Sequence, residues 1–173
     1  MAGEGSQNSG GKWAHLAIAL GGAVLGAAWT QSRIADSKKS LAEHEYPEEV
    51  AQVCEEIAEI LDDWELDPDS DLEDDFTDDL ADFLEVNTDW EIFVRPQTDE
   101  GSPDILIDDL LALELKVSPS KVELDRCIGQ CAGYSRAWVT WMVLIDVDAD
   151  ALDRLESILE DKGLEQIGVW NFP

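Results

Sequence analysis

The sequence predicts an α/β domain, a mixed central sheet flanked by helices, and three observations carry that expectation. Apolar residues spaced three and four apart come first, in Val50–Leu61 and again in Leu72–Leu84, the signature of amphipathic helices. Short apolar runs broken by acidic or glycine-containing turns then fill Trp90–Val117, too short for helices and suited to strands. From Lys121 to Trp170 helix-like and strand-like stretches alternate.

Taken in order, residues 1–12 form a Gly/Ser-rich tail, and Trp13–Trp29 is an uncharged apolar stretch followed by Arg33, Lys38 and Lys39. At 1.5 Å per residue this stretch reaches about 25 Å, and one more residue at each end brings it near the thickness of a bilayer core. A Trp at each end suits the interfacial belt, Gly22 and Gly26 have the small-xxx-small spacing, and the basic excess that follows favours a cytoplasmic body. Residues 13–30 are therefore expected to form an apolar helix that spans or lies on the cell membrane, with 31–45 as linker and 46–173 as the folded domain. A cleaved leader and a helix lying on the domain are the competing readings.

Within the domain, Val50, Val53, Cys54, Ile57, Ile60 and Leu61 place a helix over Tyr46–Trp64 with a polar face of mostly Glu. After an Asp/Pro/Ser break, Leu72, Phe76, Leu80, Phe83 and Leu84 give a second helix, with Asp71 as its N-cap and Glu73 near its apolar stripe. Trp90–Arg95 reads as a strand, Asp99–Ser102 as a turn, and the runs on either side of Asp108-Asp109 as two more strands. Lys121–Arg136 is helical, Ala137–Val147 a buried strand, Asp150–Lys162 a helix closed by Gly163, and Leu164–Trp170 a last strand.

The chain has 173 residues, 40 acidic against 11 basic, for a formal charge of −29. Passive attraction to DNA is excluded. Disorder is opposed by a 45% hydrophobic content and seven Trp. A folded domain this acidic suits concentrated salt, where a Debye length of roughly 3 Å removes most self-repulsion. Acidic runs such as Asp62-Asp63 and Asp74-Asp75 are then solvated surface. The cysteines, Cys54, Cys127 and Cys131, are three in number, which does not suit a disulfide scaffold and fits small buried helix residues in a reducing cytoplasm.

The ionisable residues in the apolar strands carry the functional reading. Alternate residues of a strand share a face, so Glu114 and Lys116 project together beside Ala112, while Leu113, Leu115 and Val117 point the other way. Buried charge needs a partner, a metal or an open face on a cleft. Asp104 joins that face only if the hairpin closes through an odd loop such as Asp108–Leu110 or a bulge; a two-residue Asp108-Asp109 loop puts it opposite. Two carboxylates on adjacent strands suit Mg²⁺ or Mn²⁺, and a nearby ammonium can orient water or stabilise charge on a phosphoryl group.

Pro103-Asp104 followed by Glu114-Leu115-Lys116, with Gln130-Cys131-Ala132-Gly133-Tyr134 on the next helix, resembles the PD-(D/E)xK nuclease superfamily, the restriction-endonuclease-like fold, in its RecB-type branch with a QxxxY motif. The resemblance covers roughly Leu72–Val147. It implies the core order helix, three strands, helix, strand, with Asp104 and Glu114 as metal ligands and Lys116 as the water-orienting or charge-stabilising group. It further implies Gln130 and Tyr134 as helpers that position water or substrate. Glu73 corresponds to the acidic metal-binding residue of the preceding helix, with Asp74 and Asp75 as competitors. Three thiols are too few for the iron–sulfur versions of that branch. The expected function is divalent-metal-dependent hydrolysis of DNA, tethered at the membrane, in repair, defence or uptake, and a homo-oligomer is compatible with it. The alternative is a catalytically silent adaptor of the same fold. Arg95, Lys116, Lys121, Arg126 and Arg136 are the cations expected near the cleft.

Overall fold

A computed structural model describes residues 48–67, 70 and 72–172. The apolar stretch 13–30, the tail, the linker and Asp71 lie outside the described residues, and among those described no helix is long and apolar enough to cross a membrane. The elements run α1 (Glu48–Asp63), α2 (Glu73–Asn87), β1 (Ile92–Val94), β2 (Ile105–Ile107), β3 (Leu111–Val117), α3 (Lys121–Tyr134), β4 (Val139–Ile145), α4 (Ala149–Lys162) and β5 (Gly168–Phe172).

All five strands form one mixed sheet in the order β1-β2-β3-β4-β5. β1, β2 and β3 pair antiparallel as a meander, and β3, β4 and β5 pair parallel through α3 and α4. Parallel neighbours need such a crossover, whereas the antiparallel ones are joined by turns. The sheet is covered on both faces. Val53, Ile57 and Leu61 of α1 and Phe76, Leu80 and Leu84 of α2 meet Leu111, Leu113 and Leu115 of β3 and Trp141, Val143 and Ile145 of β4. On the other face Leu124, Cys127, Ile128 and Cys131 of α3 join Leu152, Leu155 and Leu159 of α4 over Met142, Leu144 and Val169. Each such fully buried Leu or Ile contributes about 1.5–3 kcal/mol relative to exposure. The three thiols are free and buried.

Local chemistry accounts for the helix ends. Ser120 and Glu123 form a capping box at α3: Ser120 Oγ accepts from the Glu123 N–H at 3.4 Å, and the Ser120 N–H donates to Glu123 Oε2 at 2.8 Å. Asp148 caps α4 through its Oδ1 and the Ala151 N–H at 2.7 Å, and Gly163, with φ of 67°, closes it in the left-handed region. The N-cap of α2 departs from expectation. Leu72 occupies that position with no side-chain cap, and Glu73, Asp74 and Asp75 in the first turn favour the positive end of the helix dipole instead. Several strands are shorter than their apolar runs. Trp90 sits outside β1, with its indole N–H donating to Glu56 Oε2 at 3.0 Å, and Ala137 and Trp138 belong to the turn after α3.

The hairpin between β2 and β3 closes through the three-residue loop Asp108-Asp109-Leu110. Asp108 and Asp109 both have positive φ, 49° and 57°, and the Leu110 N–H donates to the Ile107 carbonyl at 2.9 Å. Two left-handed central residues are what a type I′ turn requires, and Asp tolerates that region better than most side chains. The register that follows pairs Ile105 with Leu113 and Ile107 with Leu111.

Candidate functional site

β2 begins at Ile105 while β3 continues to Val117, so the second half of β3 loses its antiparallel neighbour after Leu113. One step beyond the last pair, the register sets Asp104 across from Glu114, which is what the odd loop was expected to achieve. The Asp104 side chain fills the lost strand's role: its Oδ2 accepts the Leu115 N–H at 2.7 Å. Glu114 and Lys116 align with Met142 and Leu144 of β4, placing them on the α3/α4 face as alternation demands.

Four charged groups meet here. Lys116 Nζ lies 2.9 Å from Glu73 Oε1, 3.1 Å from Glu114 Oε1 and 3.7 Å from Asp104 Oδ2, and it also donates to the Leu115 carbonyl. Glu73, in the first turn of α2, is the acidic residue that reaches the site, and Thr77 Oγ1 holds its carbonyl at 2.8 Å. Its competitors do not: Asp74 pairs with Arg95 at 3.0 Å and Asp75 is exposed.

The cluster is deeper than an open cleft. Glu114 is 2% exposed and Lys116 6%. Burial, reinforced by the charge of Asp104, pushes the Glu114 carboxyl up to about 7 against the pull of Lys116. Burial also raises Asp104, with Lys116 and the Leu115 N–H opposing. For Lys116, burial favours the neutral amine, but the carboxylates of Glu114, Glu73 and Asp104 outweigh it and the net direction is upward. Three carboxyl groups around one ammonium leave the site short of positive charge, and Glu114 Oε2 is buried with no hydrogen-bond partner.

Among the described residues, no group of three or more His, Cys, Asp or Glu side chains already stands arranged around a metal position. Glu73, Asp104 and Glu114 each bring a carboxylate oxygen within 3.7 Å of the Lys116 ammonium. The donor set nevertheless fits a hard divalent cation. All three groups offer carboxylate oxygens, and the unpartnered Glu114 Oε2 is an acceptor in need of a positive partner.

Gln130 and Tyr134 lie on α3, one turn apart. Gln130 Oε1 is buried without a partner. Tyr134 is 4% exposed, and its hydroxyl donates to the Ser102 carbonyl at 3.0 Å, two residues before Asp104. Its ring lies against Gly101, where an added Cβ would stand 2.9 Å from Cε1. Tyr134 thus seats the loop that delivers Asp104. Burial, then the Glu114 charge, pushes its hydroxyl up to about 12.

Of the cations expected near the site, Lys116 lies inside it and Arg95 borders it, while Lys121, Arg126 and Arg136 are exposed on α3 and the following turn. Compared with known proteins, the chain matches no family model, no curated protein and no solved structure.

Proposed function

We propose that residues 46–173 are a nuclease domain of the PD-(D/E)xK, restriction-endonuclease-like kind, hydrolysing phosphodiester bonds in DNA with Mg²⁺ or Mn²⁺. The observation that carries the reading is the convergence of Asp104, Glu114 and Glu73 on Lys116 where β3 runs past β2, with one buried Glu114 oxygen unpartnered. Glu114 shares β3 with Lys116, and Asp104 and Glu73 reach the same ammonium from two other segments.

Asp104, Glu114 and Glu73 would hold the cation. Once bound, it would supply Lewis-acid polarisation of the phosphoryl oxygen and a bound water of lowered pKa. The chain's own groups do the rest. Lys116, held charged by its carboxylate neighbours, sets a positive charge beside the scissile phosphate, where negative charge grows in the transition state. Gln130 Oε1 is a buried acceptor able to orient an attacking water. Tyr134 keeps the Asp104 segment seated. A chain of formal charge −29 cannot rely on the usual cationic cradle, so in concentrated salt the substrate contact rests on the site and on shape rather than on counterion release. The apolar stretch 13–30 would tether such an enzyme at the cytoplasmic side of the membrane, in repair, defence or uptake of DNA.

The experiment is cleavage of linear DNA by the full chain in concentrated KCl with Mg²⁺ or Mn²⁺. Cutting is expected, and Glu114→Gln should abolish it while the circular dichroism of the folded protein is retained; Lys116→Ala should abolish it as well. A second reading draws on the ammonium standing at the convergence point: a catalytically silent adaptor of the same fold, in which Lys116 replaces a cation permanently. Folded wild type that binds divalent metal and still leaves both duplex and single-stranded DNA intact would favour that reading.

A further inference from the structure

Asp104 and Glu73 reach Lys116 from separate arms, one on the segment that follows the Thr98–Gly101 turn and one on the first turn of α2. Arg95 is bonded to both. Its peptide N–H donates to the Asp104 carbonyl at 2.8 Å. Its guanidinium donates to Asp78 Oδ1 at 2.8 Å, to Asp74 Oδ1 at 3.0 Å and to the Asp74 carbonyl at 3.2 Å. Asp74 adjoins Glu73 in the chain, so the guanidinium fixes the turn of helix from which Glu73 extends.

Arg95 holds an unusual backbone conformation to do this, with φ of 47°, a region that bulky side chains seldom adopt. Its side chain is 36% exposed, and those of Asp74 and Asp78 are 84% and 65% exposed. Ion pairs so open to solvent add little to global stability. A planar fork gripping three acceptors on one helical turn does fix orientation, which a single ammonium does not.

We infer that Arg95 is a positioning residue for the site. By tying the Asp104 segment to the first turn of α2, it sets how Glu73 and Asp104 stand to each other across Lys116, and with it the affinity of the site for a divalent cation. The inference rests on the reading of these carboxylates as cation ligands, and Arg95 acts through them without touching cation or substrate. Outer partners of metal ligands commonly change affinity by roughly 10- to 100-fold when removed.

The test uses the full chain in concentrated KCl with Mn²⁺ alone as probe, free Mn²⁺ being read by electron paramagnetic resonance. The portion of uptake lost in Glu114→Gln defines the site. Arg95→Gln should weaken that portion by roughly tenfold, and Arg95→Lys, which keeps the charge and loses the fork, should recover only part of it. Thermal midpoints of both variants should stay within about 4 °C of wild type. Cutting the same tie from the helix side, with Asp74→Asn and Asp78→Asn together, should reproduce the Arg95→Gln loss. Equal site affinities in wild type and Arg95→Gln overturn the inference and leave the nuclease reading standing. So does a double aspartate variant with wild-type Mn²⁺ affinity and tighter binding of duplex DNA, since a freed guanidinium would then be contacting phosphate. Wild-type uptake insensitive to Glu114→Gln overturns both.

Discussion

Glu114→Gln should flatten the pH dependence of stability by an amount the structure supplies. In the unfolded chain this carboxyl titrates at its ordinary 4.5, whereas burial and the neighbouring Asp104 charge carry it to about 7 in the folded protein. Between those values the native state holds a proton that the unfolded state has lost, so stability falls as pH rises through the window. At about 1.36 kcal/mol per pH unit, the loss amounts to roughly 3 kcal/mol and is complete above pH 7. Asp104, raised mainly by burial, contributes in the same direction, and Lys116 stays charged throughout. Gln cannot titrate. The stability of the variant minus that of wild type should therefore climb by roughly 3 kcal/mol between about pH 4.5 and 8. Urea unfolding followed by tryptophan fluorescence, in fixed KCl with chelator present, measures it. Parallel curves would refute the argument, because they would mean that Glu114 ionises as though in water. A divalent cation should reduce the slope of wild type and leave that of the variant unchanged.

Two further expectations concern the same neighbourhood. Lys116→Met leaves Glu114 buried without its ammonium and should lose about 3–5 kcal/mol above pH 7, and less at pH 5 where the carboxyl can take up a proton; urea midpoints at the two pH values test this. Gly101→Ala meets two obstacles, a φ of 131° and a Cβ 2.9 Å from the Tyr134 ring, and should cost about 1–3 kcal/mol, read as a lower melting temperature.

Much of the fold was legible because its signals are local. Apolar periodicity located α1, α2 and the three strands of the meander, and Gly163 marked the end of α4 where the left-handed cap stands. The register question could be posed from sequence, since parity alone decides the face of Asp104, but the answer depended on Asp108 and Asp109 both adopting positive φ. Strand ends were overextended because apolar content continues into turns, as at Trp90 and Trp138, whose indoles bond Glu56 and Asp109. The choice of Glu73 over Asp74 is tertiary: three consecutive acids are equivalent until Lys116 and Arg95 divide them. The depth of Glu114 was similarly hidden, because it requires α3 to lie over that face of β3. In sequence Arg95 reads as the end of a strand and as a cation near the cleft, whereas β1 stops at Val94. The signal available was an Arg directly after a strand and opposite an acidic first turn, which becomes meaningful only once α2 and β1 are known to touch.

The short β2–β3 hairpin also divides the site by chain distance. Asp104 reaches the Leu115 amide across 11 positions, whereas Glu73 reaches Lys116 across 43. Closing the longer loop costs about 1 kcal/mol more conformational entropy. Glu73 is held in place by the packing of α2 on the sheet through Phe76, Leu80 and Leu84, whereas Asp104, Glu114 and Lys116 share one hairpin.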